Sequence, residues 1–138
     1  MSSFSDFQTA IYTALIGDPA ITALVSSRIF DDVPHESEST STVFPRITIG
    51  DQSADAITTA ESDLAEFEVT LHVWSRAAGR KECLNILNAI MTSLHRKEHL
   101  VSVGKLVTLN YTAHETGKEV DGETYHGQIR FTGLYQFT

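Results

Sequence analysis

Apolar residues recur every three to four positions at the start of the chain: Phe4, Phe7, Ile11 and Leu15, with Ala10 and Ala14 beside them. That spacing predicts a helix with one apolar face. Gly17-Asp18-Pro19 ends it and opens a second. Asp18 suits an N-cap, where its carboxylate can accept from an unpaired amide of the first turn. Pro19 suits the first helical position because it has no N–H to leave unpaired there. Ile21, Leu24 and Val25 give this short helix its buried stripe, and Arg28-Ile29-Phe30-Asp31 reads as a brief extended stretch leaving it.

The pattern then changes. From Asp31 to Val43 the chain is polar, serine-rich and aperiodic, which predicts an exposed, mobile loop. Phe44-Pro45-Arg46-Ile47-Thr48-Ile49-Gly50 predicts a short strand, and the small, acidic run from Asp51 to Asp63 a second long loop. Phe67, Val69, Leu71 and Val73 alternate with Glu66, Glu68, Thr70 and His72, a period of two with one wet face. Trp74-Ser75-Arg76 with Gly79 makes a strand-to-helix corner, and a helix starts near Arg80 with Leu84, Leu87, Ile90, Met91 and Leu94 as its stripe. His95, Arg96 and Lys97 put cations at its negative end. Val107, Leu109 and Tyr111, then Ile129, Phe131, Tyr135 and Phe137, alternate again, with a turn at Asp121-Gly122 and a bulge expected at Gly133.

These elements predict one α+β domain spanning residues 1–138. Its order is α-α-β-β-α-β-β, an antiparallel sheet of about four strands with helices packed on one face and long mobile loops. The 138 residues suffice for a single core without disulfide or metal staples. The lone Cys83 leaves no internal disulfide to form. No secretory signal or membrane span is expected.

Charge adds to this picture. The formal net charge is -8, which disfavours wrapping nucleic acid. Residues 31–75 hold ten acids and one base, Arg46, whereas residues 76–105 hold six bases and two acids. This split predicts an acidic side and a more basic side.

Candidate chemistry is sparse. His95-Arg96-Lys97-Glu98-His99 matches the inverted zinc-protease pattern, in which two histidines four apart on a helix share a metal and a glutamate polarises its water. Here two cations flank the histidines, and a charged helix end is the better reading. His35, His72, His114 and His126 read as exposed or hydrogen-bonded surface histidines, and Cys83 as a small packing residue. No phosphate-cradling glycine loop and no nucleophile elbow occur. No catalytic, cofactor-binding or metal-ligating residue is predicted. Trp74 and Arg76 read first as parts of a folded corner and second as anchors reaching a neighbouring subunit.

Several segments, taken in order, resemble a known family: Ala10-Ile11-Tyr12-Thr13-Ala14-Leu15, Asp18-Pro19-Ala20-Ile21, Arg28-Ile29-Phe30-Asp31, Pro34, Pro45-Arg46-Ile47-Thr48-Ile49-Gly50, Leu71-His72-Val73-Trp74-Ser75-Arg76 with Gly79, and His126-Gly127-Gln128-Ile129-Arg130-Phe131. The chain is similar to the tail-completion or tail-terminator proteins of long-tailed bacteriophages and of gene transfer agents. The resemblance implies a non-enzymatic virion protein without cofactor. It implies a homo-oligomer, usually a hexameric ring, at the head-proximal end of the tail tube. There it would stop tube polymerisation and dock the head connector while DNA passes through the bore unbound. On that reading Asp51, Asp55, Glu61 and Asp63 are candidates for the bore or for inter-subunit loops, where they would repel phosphate. Trp74, Arg76, Arg80, Lys81, Arg96 and Lys97 are candidates for contacts with the tube, the connector or a neighbouring subunit. A head-completion or stopper neck protein, a small monomeric ligand-binding domain and a metallohydrolase built on His95, Glu98 and His99 are the alternatives.

Overall fold

The computed structural model describes residues 5–31, 44–57, 64–96, 99–100 and 105–136. Beyond Asp31, the predicted loop 31–43 lies outside the described residues, as do Glu61, Asp63 and Lys97. Three helices, α1 (Ser5–Ile16), α2 (Pro19–Val25) and α3 (Lys81–Leu94), accompany strands β1 (Ile29–Phe30), β2 (Arg46–Ala56), β3 (Leu64–Ser75), β4 (His99–Leu100), β5 (Lys105–Lys118) and β6 (Tyr125–Gln136).

The strands form one sheet in the order β1-β2-β3-β6-β5-β4. The expected α+β class and the four long strands are present, but among the described residues the sheet is six-stranded and mixed. β1 pairs with β2 in parallel, Ile29 beside Ile47 and Phe30 beside Thr48, while the other neighbours are antiparallel. Two residues are enough for β1 because the chain leaving α2 is already docked: the Ile47 N–H donates to the Arg28 carbonyl and the Arg28 Nε to the Pro45 carbonyl.

A second correction concerns the predicted loop 51–63, of which residues 51–57 are described. β2 does not stop at Gly50 but continues to Ala56, with Ser53 opposite Glu68 and Asp55 opposite Glu66, after a register shift between Ile49 and Gln52. Its polar half is exposed, yet it pairs because ladder hydrogen bonds come from the backbone and ask nothing of the side chains. A solvated strand of small and acidic residues has the composition of a loop. Nor is Gly133 at a bulge; it pairs in register with Phe67 and Leu109, and the irregularities fall on β5, between Leu106 and Thr108 and between Tyr111 and Ala113.

The helices cover one face of the sheet. Phe7, Ile11 and Leu15 of α1, Ile21 and Val25 of α2, and Cys83, Ile86, Leu87, Ile90 and Leu94 of α3 are buried against Ile47, Phe67, Val69, Leu71, Val73, Ile129 and Phe131. Phe7 stacks on Phe67 at 4.0 Å between ring centroids. Leu84, expected in the stripe of α3, is 41% exposed, because Cys83 and Ile86 carry that face instead. The N-cap prediction for α2 holds: Asp18 Oδ1 accepts the Ala20 N–H at 2.9 Å, with Pro19 at the first position.

Candidate functional site on the open face of the sheet

Alternation along β3 sends Ala65, Phe67, Val69, Leu71 and Val73 into the core and Glu66, Glu68, Thr70, His72 and Trp74 to the opposite face. No described helix covers that face. Its pairings set Trp74 between Arg46 of β2 and His126 of β6, and His72 between Thr48 and Gln128. Here the described polar and aromatic side chains gather.

The Trp74 indole lies flat against the His126 imidazole, with centroids 3.9 Å apart and planes 7° from parallel, and its Nε1 donates to Thr48 Oγ1 at 3.1 Å. His126 Nδ1 lies 2.9 Å from Glu119 Oε1, and its Nε2 lies 2.7 Å from His72 Nδ1. A carboxylate only accepts, so His126 donates through Nδ1; in neutral His126 the other nitrogen then accepts from His72. The result is a hydrogen-bonded chain from His72 through His126 to Glu119. Burial holds the His72 pKa below its ordinary 6.5, helped by the neighbouring His126 and opposed by Asp51. The His72 ring overlies Gly50, where a β-carbon would lie 2.6 Å from Nε2.

Cations and rings continue this stack toward the sheet's rim. The Arg46 guanidinium lies 5.6 Å from the Trp74 ring centre and 4.4 Å from that of Phe44, whose ring also carries the Arg76 guanidinium at 4.2 Å. Arg76 Nε lies 3.1 Å from Thr124 Oγ1 and 3.3 Å from Glu123 Oε1. Thr124 in turn donates to Asp121 Oδ2 at 2.6 Å, while Asp121 Oδ1 accepts the Glu123 and Thr124 amides. These bonds, the hydroxyl's first, lower the Asp121 pKa to about 2. The predicted turn at Asp121-Gly122 is thereby a pinned corner, with Gly122 at φ 75°.

The sequence candidates are therefore distributed unevenly. Trp74 and Arg76 share one cluster, as half-buried members of a stack. Arg80 lies 5.5 Å from the Tyr125 ring centre, and Arg80, Lys81 and Arg96 are exposed. Asp51 and Asp55 sit on β2, not in a loop, and are exposed beside Glu66 and Glu68. Phe44, Arg46, His72, Glu119 and His126 belong to the cluster but were not singled out from sequence. His72 and Trp74, two apart on the wet side of a clear strand, carried a signal that they share a face; the pairing with β6 did not.

The zinc-protease pattern does not form as such. α3 ends at Leu94, His95 Nδ1 accepts the Tyr111 N–H at 3.0 Å, and His99 belongs to β4, so the two histidines do not share a helix. Cys83 is fully buried, and that burial, with Glu82 adjacent, pushes its thiol up to about 11. It is a packing residue, with little thiolate at neutral pH.

The profile of the family described as tail completion protein gp17 matches residues 9–136. The chain belongs to that family. Membership makes it a structural tail protein of a virion or virion-like particle. Among solved structures, a chain from a virion of a native gene transfer agent particle superposes with a TM-score of 0.85 at 19% identity, covering 97% of this chain and 99% of that one. At that identity the likeness establishes the shared fold. Comparison with curated proteins found no match.

Proposed function

We propose that this tail completion protein acts by shape, as a ring at the head-proximal end of the tail tube that ends tube growth and joins the tail to the head connector. The family match across residues 9–136 carries this reading. It involves no covalent chemistry and no cofactor. Closed rings are built from contacts between two different surfaces of each copy, and a sheet whose described helices all lie on one side offers such surfaces at its edges.

The charge layout supports a further part of the proposal. Asp51, Asp55, Glu66 and Glu68 lie toward the far half of the open face, where like-charged Asp55 and Glu66 stand directly opposite each other. A face so built repels phosphate, so it suits the bore through which DNA passes; Glu61 and Asp63 carry the same charge but lie outside the described residues. Exposed Arg80, Lys81 and Arg96, together with Lys97, suit the acidic surface of a tube or connector partner.

Electron microscopy of particles tests the reading. Particles lacking this chain should carry tails of irregular length or heads without tails, and density for the chain should form a ring at the neck. Tails of normal, uniform length in its absence would refute the assignment. Replacing Asp51, Asp55, Glu66 and Glu68 together by lysine should leave assembled necks but impair DNA delivery; unimpaired delivery removes the bore assignment.

A further inference from the structure

Among the described residues, each outer long strand of the sheet is paired along one part of its outer edge and open along another. On β2, β1 occupies Ile47 and Thr48, and among the described residues none pairs with the outer edge of residues 50–56. On β5, β4 occupies Lys105 and Leu106. The turn after α3 serves the next stretch: the Arg96 N–H donates to the Leu109 carbonyl at 2.6 Å and the Tyr111 N–H to His95 Nδ1. From Thr112 to Lys118 no described residue takes the outer edge of β5. Open backbone of this kind is a template for another strand.

We infer that the open segment of β2 in one copy pairs, antiparallel, with the open segment of β5 in the next copy of this chain, giving a sheet that runs unbroken around the ring. The inference rests on the ring reading above and specifies its contact.

Direction is the first support. β3 and β5 run against β2 and β6, so two copies set side by side in the same orientation bring β5 of one antiparallel to β2 of the next. Charge is the second. On the open face β5 offers Ala113, Glu115 and Gly117, and β2 offers Asp51, Ser53 and Asp55. With the two segments centred on each other, Glu115 faces Ser53 while Ala113 and Gly117 face Asp55 and Asp51. Sliding by two residues in either direction puts Glu115 opposite an aspartate, which like charge disfavours. Sliding by one would turn the helix layer of one copy to the wrong side.

Stagger is the third support. Ser53 is level, through Glu68, with Thr132 of β6, whereas Glu115 is level with Gln128, four residues along the same strand. Each copy is thus displaced roughly 14 Å along the strand direction relative to the last. Spread over four long strands, that is a shear of about one residue per strand. The corresponding tilt of about 36° lies in the range that closed sheets adopt. The helix layer matches as well. Tyr12, 40% exposed, borders a groove with Ile49 beside the open part of β2, and Leu84 borders one with Tyr111 and His114 beside the open part of β5. The pairing sets these two grooves on the same side of the joined sheet.

Cysteine pairs test the contact in the full chain, with Cys83→Ala removing the native thiol. Directly opposed residues lie about 4.5–5.5 Å apart between Cα atoms, within disulfide reach. A chain carrying both Asp55→Cys and Ala113→Cys should give, on oxidation, a covalent ladder ending in a closed species. The two single-cysteine chains should give covalent dimers only when mixed. Dimers from the Ala113→Cys chain alone would mean a two-fold β5–β5 contact and overturn the inference. Ring-sized particles by light scattering, or rings at the particle neck, that do not cross-link would overturn it while leaving the ring reading standing. Failure of any ring to form would overturn both. Ala113→Asp, which faces Asp55, should weaken assembly by up to about fivefold per contact while Ala113→Lys does not; equal effects of the two would count against the register.

Discussion

The Cys83 sulfur occupies the space that a side chain at position 127 would need: a β-carbon added to Gly127 would lie 2.7 Å from it and 2.9 Å from Leu87 Cδ1. α3 packs this closely on β6 only because residue 127 is bare. Gly127→Ala should therefore destabilise the fold by about 1–3 kcal/mol. Cys83→Ala in the same chain should recover part of that loss, since it empties the contested space. Urea unfolding of the four chains in this cycle measures both terms, and strict additivity would mean the two residues do not collide.

His72 makes stability depend on pH. Its folded-state pKa lies below 6.5, chiefly through burial, so the unfolded chain binds the proton more readily. The contribution is complete above pH 6.5 and is lost as pH falls from there through the folded-state pKa. The ionisable side chains around it are those of His126, Glu119 and Asp51. Melting temperature should fall between pH 7 and 5, and His72→Gln should flatten that part of the curve. NMR titration of the His72 ring gives the value directly; a midpoint at or above 6.5 would contradict the geometry.

Trp74 and Thr48 should be energetically coupled. Trp74→Phe keeps an aromatic surface for His126 but gives up the indole N–H that Thr48 accepts, a loss of about 1 kcal/mol. Thr48→Val should cost a similar amount, and the double variant less than the sum of the two. Chemical denaturation of the cycle reads the coupling, which would be zero if the indole bond contributes nothing.

The Asp121 carboxyl should titrate near 2, well below the aspartate norm, because three hydrogen bonds favour its charged form. Carbon-detected NMR of the side chain checks this. Thr124→Val removes the first of the three and should raise the midpoint, with the two amide bonds keeping it below 3.8.

Periodicity made much of this fold legible in advance. The apolar stripes of α1 and α3 and the alternation of β3 follow from side-chain burial on one face, and the cap at Asp18 from an unpaired amide of the first turn, so all are local patterns. The extended stretch at Ile29–Phe30 was legible, but its parallel pairing and the second half of β2 were not, because pairing is a property of neighbouring backbone rather than of a segment's own side chains. The stack of Phe44, Arg46, Trp74 and His126 was illegible for a related reason. Arg46, Trp74 and His126 come from three strands whose order in the sheet, β2-β3-β6, skips across the chain, and Phe44 lies just ahead of the first. The residue types were visible; their adjacency depended on a crossover.

The two shortest strands bear on how copies of this chain can meet. β1 and β4 stop opposite ends of the sheet's two borders, so no copy can lay a full-length strand against another at the same height. Stacking into a level, fibril-like ribbon is blocked by these stubs. What remains possible is a staircase, each molecule one step up from the last, and a staircase that bends back on itself comes to an end.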